Sequence, residues 1–202
     1  MKNGILSCFL LVSMCFSTAV LAEQSPQDMV KSVSEKTIAK LKQDKALIAK
    51  EPERLYELIK EYVLPHFDFE RMSKWVLGKY WRQATPQEQK RFIEEFRTLL
   101  VRTYATSLAD FAEQNIKFLP FHDDLASGEV TIKSEVEQPG SFPVPINYRL
   151  HKIADGWKVF DVTIDDISLI SNYRTSFSRE IRTAGISGLI DQLAAKNKKA
   201  MQ

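Results

Sequence analysis

From Val76 to Leu108 the chain carries a pattern that leaves few folds open. A helical run ends in Val76-Leu77-Gly78 and a turn holds Trp81. Ala84-Thr85-Pro86 then leads into Gln89, Phe92, Phe96, Leu99, Leu100, Tyr104 and Leu108 at helical spacing. Thr85 can N-cap this second helix, Pro86 suits its first position, and Glu88 stands where the reciprocal partner of a capping box belongs. The start of the helix is thus written locally. From Pro86 to about Gln114 it would run about 40 Å at 1.5 Å per residue. An apolar face of that length needs a broad partner surface.

The rest of the chain supplies that surface. Residues 27 to 48 read as a helix with Met29, Val30, Val33, Thr37 and Leu41 on one face. A second helix from Pro52 repeats Leu55, Leu58, Ile59 and Tyr62 until Leu64-Pro65-His66 breaks it. Asp68 is the expected N-cap of a third, carrying Met72, Trp75 and Val76, with Gly78 at its C-terminal stop. The period then falls to two. Val130, Ile132 and Val136 alternate with polar residues, Pro139-Gly140 turns the chain, and Val144, Ile146, Tyr148 and Leu150 share one face of the next run. Asp155-Gly156 turns again into a strand from Trp157 to Ile164, so the three form an antiparallel meander. Ile116 and Phe118 offer a fourth strand that Pro120 keeps at an edge. Helical spacing returns at Leu169, Ile170, Tyr173, Phe177 and Ile181, stops at Gly185, and resumes after Ser187 with Leu189, Ile190 and Leu193. The tail from Lys196 reads as polar and frayed. Helices, then an antiparallel sheet, then helices predict one α+β domain.

The first residues carry an address. Lys2, an apolar run from Ile5 to Phe16 and the small residues of Val20-Leu21-Ala22 read as a signal peptide over residues 1–22, with the domain at 23–202. The apolar run is shorter than the roughly 20 residues of a membrane span. Cys15 follows Val12-Ser13-Met14 and lacks the small residue expected before an acylated cysteine. Both cysteines, Cys8 and Cys15, fall in the removed segment, which leaves no disulfide, thiol nucleophile or cysteine ligand. Removing 22 residues from 202 leaves 180, with 27 basic against 26 acidic side chains. That balance gives no footprint for nucleic acid.

Catalytic motifs are missing. His66, His122 and His151 stand apart from one another without metal-ligand spacing. Gly185-Ile186-Ser187-Gly188 is one residue short of a hydrolase elbow and reads better as a glycine stop followed by a serine cap. Asp161, Asp165 and Asp166 form the one acidic cluster of interest. Asp161 in an apolar pocket would be a general base of raised pKa. The plainer expectation is that it faces away from Phe160, Val162 and Ile164 and pairs with an arginine, Arg174 being a natural candidate, while Asp165 or Asp166 caps the helix that follows.

The block from Val76 to Leu108, with Trp157-Lys158-Val159-Phe160-Asp161-Val162 and with Tyr173-Arg174 followed by Phe177, strongly resembles the MlaC family, also called the toluene-tolerance Ttg2 family. The resemblance spans almost all of the chain after the signal. It implies a curved antiparallel NTF2-like sheet wrapped by helices around an apolar cavity, and a soluble periplasmic carrier of diacyl glycerophospholipid that maintains outer-membrane lipid asymmetry. The implied partners are an inner-membrane Mla ABC transporter complex with its lipid-binding subunit, and an outer-membrane lipoprotein-porin complex. No cofactor is implied, since the phospholipid is cargo. Candidate cavity residues, taken from the apolar faces, are Phe96, Leu100, Tyr104, Leu108, Val130, Ile132, Ile146, Tyr148, Val162, Ile164, Tyr173 and Phe177. Lys74, Lys79 and Arg82, around the aromatic turn, are candidates for steering a docking partner. Two other readings stay open: an NTF2-like pocket enzyme using Asp161 as base, and a secreted interaction module with a filled core.

Overall fold

Five strands pair in chain order as one antiparallel sheet in the computed structural model, which describes residues 24–199. The expected signal peptide and both cysteines lie outside the described residues. The strands are β1 (Ile116–Phe118), β2 (Glu129–Val136), β3 (Val144–Ile153), β4 (Gly156–Ile164) and β5 (Ile167–Ser168). Helices α1 (Pro26–Gln43), α2 (Lys45–Lys50), α3 (Glu53–Tyr62), α4 (Phe69–Leu77) and α5 (Pro86–Phe111) precede or lead into the sheet, and α6 (Leu169–Lys199) follows it. The architecture is α+β, with β1 at the edge as expected.

Local chemistry accounts for most helix ends. Thr85 Oγ1 accepts from the Glu88 N–H at 3.2 Å and a Glu88 carboxylate oxygen accepts from the Thr85 N–H at 2.9 Å, closing the capping box of α5. Asp68 accepts from the Arg71 N–H at 2.8 Å to cap α4, and Gly78 ends that helix at φ 54°. A Cβ at Gly78 would come within 3.1 Å of the Arg174 guanidinium, so a glycine is needed for conformation and for room. Arg174 of the Tyr-Arg pair therefore packs on the end of α4.

Three expectations about helix ends need correction. The single helix expected over 27–48 breaks at Asp44, whose φ of −94° and ψ of 8° separate α1 from α2 while its carboxylate accepts from Arg54 Nε at 2.8 Å. An aspartate favours such breaks because its side chain competes for local hydrogen bonds. Secondly, Asp165 and Asp166 do not cap α6. Both have positive φ, 48° and 61°, and make the two-residue turn that hairpins β4 into β5, a strand the sequence did not announce. Thirdly, the chain from Lys196 does not fray at once: helix continues to Lys199, and the buried Asn197 donates to the Glu95 carbonyl at 2.9 Å and carboxylate at 2.7 Å. The break at Gly185 is present, at φ 73° and ψ 176°, but the Ser187 hydroxyl just past it donates to the Glu88 carboxylate at 2.5 Å.

Register decides which side chains share a face. Ile132 opposes Tyr148, Tyr148 opposes Val162, and Ile146 opposes Ile164, so these alternate residues lie on one side of the sheet. Between Arg149 and Leu150 the pairing slips: Arg149 opposes Asp161 while Leu150 opposes Val159, leaving Phe160 as the extra residue of a bulge. The bulge puts Phe160 on the same side as Asp161, opposite to Val162 and Ile164, contrary to simple alternation. There Phe160 is fully buried and joins Met72, Val76, Leu77, Phe92, Phe96, Ile170, Phe177 and Ile181 in a core made by α4, α5 and α6. The other face carries a separate core with Val130, Ile132, Leu150, Met29 and Val30.

Candidate functional site

Apolar faces that meet too loosely to close leave a cavity of about 330 Å³ between the sheet and the helices, open at one side. Its floor is the face set by the register, with Ile146, Tyr148, Val159, Val162 and Ile164. One wall is α1, through Met29, Val30, Val33 and Ile38; another is α5, through Leu100, Val101, Tyr104, Ala105 and Leu108. The end of α3 and the start of α4 close the remainder with Ile59, Val63, Leu64, Phe67, Phe69 and Met72. Pairing of Phe67 with Val159, and the Asp68 N–H donated to the Val159 carbonyl at 2.8 Å, pin that connection to the sheet. Small side chains, Ser34, Ala105 and Ser107, stand where larger ones would fill the space.

The polar groups on this wall are few and mostly partnered. Thr37 donates its hydroxyl to the Val33 carbonyl at 2.7 Å. Tyr148 lies against the hydroxyls of Ser34 and Ser134, and burial pushes its phenol up. Burial, and then the neighbouring Tyr173, push the Tyr104 phenol up to about 12. His66 is held below its ordinary value by burial and by Lys36 and Lys158. Each shift favours the neutral form, so at neutral pH the wall presents little charge. No carboxylate lines the cavity among the described residues. Asp161 is on the other side of the sheet, 2% exposed; its carboxylate accepts from the Ser168 hydroxyl at 2.7 Å and the Ile170 N–H at 3.2 Å, with Arg149 at 3.9 Å. Arg149, its neighbour across the strands, is its arginine, in place of Arg174.

Of the residues marked in the sequence, Leu100, Tyr104, Leu108, Ile146, Tyr148, Val162 and Ile164 line the cavity. Val130 and Ile132 share the sheet face but are buried in its closely packed part, outside the cavity. Phe96, Tyr173 and Phe177 are elsewhere: they form an aromatic cluster with Phe92 under α6, with ring centroids 5.3 to 6.0 Å apart. One periodic face of α5 thus divides between two destinations, because the helix is longer than either the cavity or the α6 contact. Sequence reasoning missed the whole α1 wall, and Phe67 and Phe69. The α1 stripe was visible, but nothing in it distinguishes a cavity wall from a packed core. Lys74, Lys79 and Arg82 are exposed and away from the cavity; Lys74 pairs with Glu70 at 2.5 Å, and Lys79 Nζ lies 5.1 Å from the Tyr80 ring centroid.

No helix among the described residues is long and apolar enough to cross a membrane, and no group of three or more metal-ligating side chains occurs among them. The chain is 26% identical over 196 residues to the toluene tolerance protein ttg2D of Pseudomonas putida, covering 96% of this chain and 91% of that one. It is 21% identical over 188 residues to the intermembrane phospholipid transport system binding protein MlaC of Haemophilus influenzae, covering 92% and 88%. A solved structure of a phospholipid-binding protein from Ralstonia solanacearum, in complex with a phospholipid, superposes with a TM-score of 0.81 at 30% identity, over 89% of this chain and all of that one. The model of the MlaC protein family matches residues 31–195. With that match running from α1 through the sheet and into the last turns of α6, the chain belongs to the MlaC family.

Proposed function

We propose that this protein is a periplasmic carrier that holds a glycerophospholipid by its acyl tails. In this reading it moves the lipid between an inner-membrane transporter complex and an outer-membrane lipoprotein-porin complex, and so maintains outer-membrane lipid asymmetry. The observation that carries the reading is the apolar cavity between α1, α5 and the sheet. A diacyl phospholipid has about 30 methylenes worth about 0.8 kcal/mol each on removal from water, or about 24 kcal/mol. Leaving a quarter of that exposed weakens extraction by about 6 kcal/mol, about four orders of magnitude in affinity. A surface patch cannot avoid that loss, whereas walls contributed by several elements can. The likeness to a relative solved with phospholipid supports the same reading. The alternative of a pocket enzyme loses its base, because Asp161 does not reach the cavity.

Mass spectrometry of organic-extractable lipid from protein purified out of the native periplasm tests the proposal. Two-chain glycerophospholipids with several headgroups are expected. Protein recovered without lipid would point to a filled-core interaction module, and a single headgroup from a mixed membrane would contradict carriage by the tails.

A further inference from the structure

Beside the apolar cavity lies a second hollow of about 530 Å³, of different chemistry. It shares Leu64, Phe69 and Val101 with the first, so the two hollows adjoin at those residues. Its own lining includes Lys60 and Tyr56 of α3 and Arg97 and Arg102 of α5, with Glu53 the single acid. None of the three cations takes part in an ion pair among the described residues. Arg102 is more specific still. Its guanidinium carbon lies 5.9 Å from the Tyr56 ring centroid, while its Nη1 is buried without a hydrogen-bond partner. A guanidinium N–H withdrawn from water and left unpaired is a costly arrangement unless an acceptor arrives.

We infer that Arg102, Arg97 and Lys60 form a site for a phosphate group, placed so that a lipid with its tails in the apolar cavity sets its phosphodiester there. The inference rests on the tail-binding reading proposed above. Arginine's fork of donors matches a phosphate's oxygens, and a lysine beside it adds charge without directional demand. The glycerol would cross the rim at Leu64, Phe69 and Val101. Because every glycerophospholipid carries a phosphate on its glycerol, such a site reads the class of lipid and ignores any alcohol beyond it. Sequence alone could not disclose it, since Lys60 and the two arginines come from separate helices.

Delipidated wild type and the variants Arg97→Gln, Arg102→Gln and their double are titrated with dioctanoyl phosphatidylethanolamine, with dioctanoylglycerol and with inorganic phosphate. The double variant is expected to bind the phospholipid at least about tenfold more weakly, while dioctanoylglycerol, which lacks the phosphate, binds all four proteins alike and shows that the variants keep a folded cavity. Loss confined to inorganic phosphate would assign the same cations to free phosphate instead of the lipid's. Equal binding of all three ligands by wild type and double variant overturns the phosphate site and leaves the cavity reading intact. Wild type that binds neither dioctanoyl lipid overturns the cavity reading, and this inference with it.

Discussion

Asp161 sits almost out of water with a serine hydroxyl, a helix N–H and an arginine around it, an arrangement that holds the start of α6 to β4. Alternation along β4 places it away from Val162 and Ile164 correctly, but it cannot show that Phe160 follows Asp161 to the same side, because a bulge is a property of two strands together. Asp161→Asn keeps the shape and weakens the acceptor. A loss of about 1–3 kcal/mol in denaturant unfolding is expected, with unchanged lipid per folded molecule. A fall in lipid content at undiminished stability would return Asp161 to the cavity chemistry. Gly78 makes a comparable point: its role as a helix stop was legible, while the arginine stacked over it, from the far end of the chain, was not.

Among the elements, α5 was read best because its start is encoded in adjacent residues. Thr85, Pro86 and Glu88 need no tertiary information to make their cap. What lay beyond local reading is that Glu88 also receives the Ser187 hydroxyl from just past the α6 break, so one carboxylate ties two helix ends together. Those contacts, Ser187 first and then Thr85, hold the Glu88 carboxyl below its usual range. A depressed folded pKa contributes stability above the unfolded value of 4.5, and that contribution is lost as pH falls through the folded pKa. Glu88→Gln keeps the capping-box geometry and loses only a solvent-screened charge, so it is expected to cost about 0.5 kcal/mol near pH 7. The gap to wild type should close as the solution is taken well below pH 4.5. Thermal unfolding across that range checks it, and a gap independent of pH would remove Glu88 from the acid response. The α1–α2 break and β5 were illegible for the opposite reason: Asp44 is held by Arg54, and β5 exists only by pairing with β4.

At the scale of the molecule, the sheet divides two apolar bodies, one solid and one hollow. Periodicity finds apolar faces and says nothing about how closely they approach, so the fold was legible and the cavity's outline was not. The separation gives a paired test. Val162→Asp, in the cavity floor, should empty the protein of lipid, whereas Phe177→Ala, in the solid core, should cost about 3–5 kcal/mol of stability and leave lipid per folded molecule unchanged. Phosphorus analysis beside calorimetry separates the two, and loss of lipid in the Phe177 variant at full folding would mean the bodies are not independent. Docking belongs to this scale too. Neutralising Lys74, Lys79 and Arg82 together should slow transfer to partner-bearing membranes mainly at low salt, with bound lipid unaltered. Unchanged transfer kinetics at low ionic strength would place the docking surface elsewhere.

The solid body under α6 has a consequence for repeated use. A vessel whose walls are its only core collapses when it is emptied, and each delivery then ends in refolding or loss. Here Phe92, Phe96, Phe160 and Phe177 are packed together in a cluster that does not line the hollow side. Unloading removes the stabilisation that cargo lends by mass action but leaves that aromatic cluster standing. Under the carrier reading proposed above, one molecule would make many round trips, limited by encounters with partners instead of by its own survival between them.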